Sequence, residues 1–160
     1  MGKGIKIFKL AVSILVCQGA GIIGSFFTLP AISTWYTTLL KPSFNPPNWI
    51  FAPVWTLLFL LMGISLYLIW NRGLRDKETK KAIFIFGVQL ILNMIWSVLF
   101  FGLQSPLYAF IEIIILWFAI LLTIISFYKI FKAAAYLLLP YILWVTFASA
   151  LNFSILILNL

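Results

Sequence analysis

The sequence has no histidine, a single cysteine and only three acidic residues among its 160 positions. With Cys17 as its only thiol, the chain cannot form an intrachain disulfide, and without histidine it cannot assemble a Cys/His zinc site. It also offers no carboxylate pair and no base beside a nucleophile, which ordinary acid–base or nucleophilic catalysis would need. We therefore expect no metal site, no required cofactor and no conventional enzyme.

Charge of either sign is scarce, since 9% of the residues are charged and 64% are hydrophobic. Soluble domains are charged at roughly a quarter of their positions, so this chain belongs in lipid. Five apolar stretches are each long enough to cross about 30 Å of hydrocarbon as a helix. They run without alternation, which excludes a β-barrel and leaves helices as the spanning structure. The stretches are Leu10–Leu29, Ile50–Trp70, Ala82–Leu103, Leu107–Tyr128, interrupted by Glu112, and Ala133–Leu160.

These stretches predict an all-α membrane protein with a bundle of five transmembrane helices in one domain, residues 1–160. We place the helices at about residues 8–29, 49–70, 81–103, 107–128 and 134–158, with a kink at Pro140. Lysines before an apolar run are also typical of a signal peptide. The run continues well past Gly21, longer than such a peptide needs, so we expect the first helix to be retained.

The net charge of +8 raises the question of nucleic acid, but the basic residues cluster at helix ends rather than along one stripe. We expect membrane lipid and no nucleic acid as a partner. Ten of the eleven basic residues fall in the N-terminus and in the second and fourth connections, while Lys41 alone faces the other way. The positive-inside rule then places the N-terminus in the cytoplasm and the C-terminus outside, in what we expect to be a bacterial cell membrane.

One connection is long, residues 30–48, and it combines four prolines with several aromatic residues. Prolines restrict the backbone and aromatic side chains supply apolar faces. We therefore expect this loop to pack onto the helix ends. An aromatic belt with a stiff connector explains the same residues equally well.

Unusual residues converge in the half of the bundle beneath this loop. Helix direction and a rise of about 1.5 Å per residue place three sets of side chains there, together with Glu112. The sets are Trp55 with Phe59, Asn93 with Trp96, and Trp144 with Ala148 and Asn152. Packing explains any single tryptophan as well as binding does, and either asparagine can simply hydrogen-bond between helices. Small-residue spacing on the first helix, at Ala20 to Ser25, allows close packing within the monomer or in a dimer.

Three stretches resemble the tryptophan-rich sensory protein (TspO/MBR) family, which includes the translocator protein or peripheral-type benzodiazepine receptor. They are WYTTLLKPSFNPPNWIFAPVWTLLFLLMGISLYLIW at Trp35–Trp70, QLILNMIWSVLFF at Gln89–Phe101 and LLLPYILWVTFASALN at Leu137–Asn152. Together they cover most of the chain, and the helix count and length also agree.

The resemblance implies a five-helix bundle that binds porphyrins such as protoporphyrin IX, with the long loop as a lid and a homodimer as a common state. The family's ligand-binding positions match Tyr36, Trp55, Phe59, Asn93, Trp96, Trp144 and Ala148 here. Animal members also bind cholesterol. This chain ends LNFSILILNL, without the tyrosine and basic residue of the cholesterol motif, so we do not expect sterol binding by that route.

Binding, transport or sensing of a flat apolar tetrapyrrole is thus the favoured function. One alternative is light-dependent porphyrin breakdown with Trp55 and Trp144 as the photochemical residues, since the resemblance links the family to that reaction. Another is a small proton-coupled drug exporter with Glu112 as the coupling acid.

Overall fold

The computed structural model describes residues 3–160, without the side chain of Lys3, and every regular element in that part of the chain is helical. Lys3 is one of the basic residues that we predict on the cytoplasmic side, and its side chain is outside the part that the structure describes. In chain order the helices are α1 (Lys3–Ile32), α2 (Trp35–Thr38), α3 (Asn48–Trp70), α4 (Lys77–Ser97), α5 (Pro106–Ile130), α6 (Lys132–Tyr136) and α7 (Leu139–Leu158). A π-helical turn, Val98–Gly102, extends α4.

Five segments are long and apolar enough to cross a membrane: Gly4–Ile32, Asn48–Trp70, Lys77–Gly102, Pro106–Ile130 and Lys132–Leu158. The predicted all-α fold with five spans is confirmed. Large apolar side chains such as Phe26, Phe84 and Phe118 are exposed on the outer surface of the bundle, as expected for a surface that faces lipid.

The first helix is longer than predicted, because it begins before residue 8 and continues through Pro30 to Ile32. A proline removes one backbone donor, and here that loss falls in the last turn, where the helix is about to end. The Thr34 hydroxyl donates to the Pro30 carbonyl at 2.7 Å and closes this end. The connection between the first two spans therefore comprises residues 33–47 and contains the short helix α2.

The kink predicted at Pro140 is present as a break in the fifth span. Helix α6 ends at Tyr136, and α7 begins at Leu139 with Pro140 in its first turn. A proline ring clashes with the carbonyl four residues earlier, so the helix cannot run through this point unchanged. Tyr141, which follows Pro140 in α7, is buried in the core.

Close helix contacts inside the monomer use the small residues. Helix α1 lies against α3 and α4, α4 against α5, and α5 against α7. A Cβ at Gly63 would lie 2.8 Å from the Ile14 Cα atom, so α1 and α3 touch through backbone there. Gly21 faces the ring of Phe59 and Gly24 faces Ser97. The small-residue spacing of the first helix therefore serves packing within the monomer.

Gly63→Ala should lower stability by about 1–3 kcal/mol, because the added methyl group meets backbone that cannot move aside. Thermal unfolding in detergent measures this loss. Gly19→Ala is the matched control, since a Cβ there meets nothing within 4 Å and a helix prefers alanine. Equal melting temperatures for the two variants would contradict the close contact between α1 and α3.

Candidate ligand-binding site

A cavity of about 530 Å³ lies in the half of the bundle toward the long loop. Four helices, α1, α3, α4 and α7, form its walls together with the π-helical turn, and Tyr36 of α2 closes one side. The structure brings all seven predicted site residues to this cavity: Tyr36, Trp55, Phe59, Asn93, Trp96, Trp144 and Ala148. Their role in binding remains a prediction. The volume falls within the range of roughly 300–1,000 Å³ that is usual for ligand sites.

Aromatic rings in contact with one another line most of the cavity. Trp55 lies 5.7 Å from Phe59 between ring centroids, with the planes 32° apart. On α7, the Trp144 ring meets Phe51 edge to face at 6.2 Å. The π-helical turn places the ring of Phe100 against Trp96, stacked at 5.1 Å. These contacts hold flat apolar surfaces in fixed orientations around the cavity.

Asn93 is held in place by a buried tyrosine that sequence reasoning missed. Its Nδ2 donates to the Tyr141 hydroxyl at 3.0 Å, and that hydroxyl donates to Gln89 Oε1 at 2.9 Å. The sequence contained an indication of this network. Gln89 precedes Asn93 by one helical turn and Tyr141 precedes Trp144 by three residues, so each shares a helix face with a predicted site residue. The three side chains join α4 to α7 beneath the cavity.

Asn152 also joins helices while it lines the cavity. Its Oδ1 accepts from Trp96 Nε1 at 3.2 Å, and its Nδ2 donates to the Pro106 carbonyl at 2.9 Å. The interhelical hydrogen bonds expected of the two asparagines are therefore present at both positions. By contrast, the buried Nε1 of Trp144 has no hydrogen-bond partner among the described residues, so this indole retains a donor.

The long loop contributes Tyr36 to the cavity and otherwise packs on neighbouring helices. The Tyr36 hydroxyl donates to Asn45 Oδ1 at 2.8 Å. Burial raises the pKa of this phenol to about 12, so it stays a neutral donor at pH 7. Lys41 Nζ lies 4.6 Å from the centroid of the Tyr36 ring. The Asn159 amide accepts from the Leu40 N–H at 3.0 Å and donates to its carbonyl at 2.9 Å.

Glu112 does not belong to this site. It lies on α5, which contributes no residue to the cavity lining, and its side chain is only 6% exposed. Neither carboxylate oxygen has a hydrogen-bond partner among the described residues.

The cavity has no charged side chain in its lining, and the described residues contain no cluster of three metal-ligating side chains.

Comparisons of this sequence with known proteins all point to one family. The sequence profile of the TspO/MBR family matches residues 13–158. The chain is similar to the tryptophan-rich protein TspO of Chlorobaculum tepidum, with 47% identity over 154 residues that cover 96% of this chain and 98% of the relative. It is also similar to the tryptophan-rich protein TspO of Archaeoglobus fulgidus, with 51% identity over 154 residues that cover 96% of this chain and 99% of the relative. The human translocator protein is 35% identical over 83% of this chain and 79% of its own length.

Tyr141→Phe should destabilise the bundle by about 1–3 kcal/mol, because it leaves the buried amides of Gln89 and Asn93 without their shared partner. Thermal unfolding of the detergent-solubilised protein measures the loss. Tyr108→Phe serves as the control, since Tyr108 is exposed and its hydroxyl does not join helices. No difference between the two variants would argue against the Gln89–Tyr141–Asn93 network.

Proposed function

Because this chain belongs to the TspO/MBR family of membrane proteins, we propose that it binds a porphyrin or a similarly flat, largely apolar tetrapyrrole in the cavity. The observation that carries the proposal is the wall of indole and phenyl faces around an uncharged space at membrane depth. Aromatic faces stack on a planar macrocycle, and their mutual contacts keep them oriented before the ligand arrives.

A polar side chain gives this site a means of orienting its ligand. Trp144 Nε1 has no protein partner among the described residues, but it is buried and is not exposed to the open space. The Asn93 amide lines the cavity in an orientation set by Tyr141. A few placed polar groups in an apolar pocket are typical of sites for small organic ligands.

Several relatives are named translocator protein, and another, from Cereibacter sphaeroides, is named tryptophan-rich sensory protein. Binding is the step that translocation and sensing have in common. It is therefore the function that we assign to the cavity, and transport or signalling by this chain would follow from it.

Trp55→Ala and Trp144→Ala should each weaken protoporphyrin IX binding by about tenfold, since each removes a stacking surface worth roughly 1–2 kcal/mol. Absorbance titration of the purified protein measures the affinity. Trp70→Ala is the matched control, because Trp70 ends the same helix as Trp55 but lies outside the cavity lining. Unchanged affinity in both pocket variants would overturn the site assignment.

The propionate groups of a porphyrin need a place outside this uncharged lining. A carboxylate is costly to bury without a partner, so we propose that the propionates stay at the outer rim, beside Lys41. Lys41 is the single basic residue on that side, and it packs on the ring of Tyr36, which lines the cavity.

Lys41→Gln should weaken protoporphyrin IX binding by about two- to fivefold, the size expected of a solvent-accessible ion pair. The same variant should bind the dimethyl ester of protoporphyrin IX as tightly as the wild type does, because the ester carries no charge. Titration of both ligands into both proteins is the measurement. An equal loss for acid and ester would show that Lys41 acts through packing alone.

We also propose that the N-terminus is cytoplasmic and the C-terminus lies outside. The basic segments lie together at one end of the bundle, where Lys9 Nζ donates to the Trp70 carbonyl at 3.3 Å and Arg72 stacks on Phe131 at 4.1 Å. Such an excess of basic residues is typical of the cytoplasmic side.

Ser43→Cys should react with a membrane-impermeant maleimide on intact cells, whereas Arg75→Cys should react only after the membrane is opened. The wild-type chain is the control, because Cys17 is buried. The reverse pattern of labelling would invert the proposed orientation.

A further inference from the structure

The exposed part of the cavity lining is confined to two helices. Six lining residues have exposed side chains, and all six lie on α1 or α3. They are Ile22, Leu29, Asn48, Trp49, Ala52 and Thr56. Exposure reaches 58% at Ile22, 67% at Leu29 and 74% at Trp49. The lining residues of α4, the π-helical turn, α7 and α2 are buried or half-buried, so the cavity opens sideways between α1 and α3. We call this opening, defined by the six residues, the slot.

The slot has a definite lower end within the bilayer. Gln18 Nε2 on α1 donates to the Thr56 carbonyl on α3 at 3.0 Å and bridges the two helices. Below this bridge the helices touch through Gly63 and Ile14. Thr56 is eight residues into α3, so the slot extends about 12 Å from the outer end of that helix, into the hydrocarbon region.

The long loop is attached to α7. The Asn159 amide holds both backbone groups of Leu40, as described above, and the ring of Phe44 packs on Phe147 of α7 at 6.2 Å. The Tyr36–Asn45 hydrogen bond links the start of the loop to its end. These contacts fasten the loop to α7, on the side of the cavity away from the slot.

We propose that the slot is the ligand entrance, so that the cavity exchanges its ligand directly with the lipid phase while the loop stays fastened. The inference rests on the proposed function for the identity of the ligand. It adds the source and class of that ligand, a planar amphiphile dissolved in the bilayer that enters edge first between α1 and α3. Its carboxylates then remain at the interface while the macrocycle slides inward.

Two variants that narrow the slot and one variant that loosens the loop distinguish ligand entry through the slot from ligand entry through the loop. Ala52→Phe on α3 and Ser25→Phe on α1, a half-buried lining residue three positions beyond Ile22, should slow both association and release of protoporphyrin IX in liposomes by at least about fivefold, as narrowing an entrance does. Leu57→Phe enlarges an exposed side chain of α3 that does not line the cavity, and it should exchange ligand at the wild-type rate. Asn159→Ala removes the two hydrogen bonds that hold Leu40 of the loop to the end of α7, and it should also leave both rates within about twofold of the wild type.

The opposite pattern would overturn the proposal. If Asn159→Ala speeds exchange while the blocking variants do not slow it, the ligand passes through the loop. If Ala52→Phe and Ser25→Phe speed release, the two positions are merely ligand contacts, and the slot is not an entrance.

A measurement without porphyrin tests the slot separately from the proposed function. A bimane label attached at Ser25→Cys should be quenched by nitroxides on lipid acyl chains more strongly than by aqueous iodide, and a label at Ser43→Cys in the loop should show the reverse. Stronger quenching by iodide at Ser25→Cys would rule out an opening toward lipid. A wild-type protein that does not bind porphyrin saturably would end the proposed function but leave this result standing.

Discussion

Hydrocarbon contains no water to hydrogen-bond a polar group, and most of this structure follows from that constraint. Backbone groups satisfy one another inside five helices, and the side-chain amides must find partners on neighbouring helices. Asn93 finds Tyr141, and Asn152 finds both Trp96 and the Pro106 carbonyl at the start of α5. Each of these bonds joins two helices at a depth where an unpaired amide would be costly, so each fixes how the helices are rotated.

An open space lies beside these bonds, in the half of the bundle toward the long loop. Below it, α1 and α3 meet through glycine and backbone, which leaves no room between them. Around it, aromatic side chains pack against each other instead of filling the space, as the pairs Trp55–Phe59 and Trp96–Phe100 show. A cavity of this size forfeits packing energy, because the side chains around it lose contact partners.

Much of this arrangement could be predicted before the structure. The helix count followed from stretch length, and the cluster around Trp55, Asn93 and Trp144 followed from helix direction and a fixed rise per residue. The prediction was incomplete for residues whose role depends on rotation about the helix axis. Glu112 has the right depth but lies on α5, outside the cavity, whereas Tyr141 was missed although it holds Asn93. Depth follows from counting residues, but rotation follows from packing against neighbours.

The sequence by itself determined that this chain spans a membrane five times, because five apolar stretches exceed the bilayer thickness and no other structure can satisfy their backbone there. It also determined that one end is basic and the other aromatic. Only the tertiary structure decided which helices surround the cavity, that α5 is excluded from it, and that Gln18 bridges α1 to α3 at Thr56. Those features depend on where small and large side chains of different helices meet, and no single stretch of sequence contains that information.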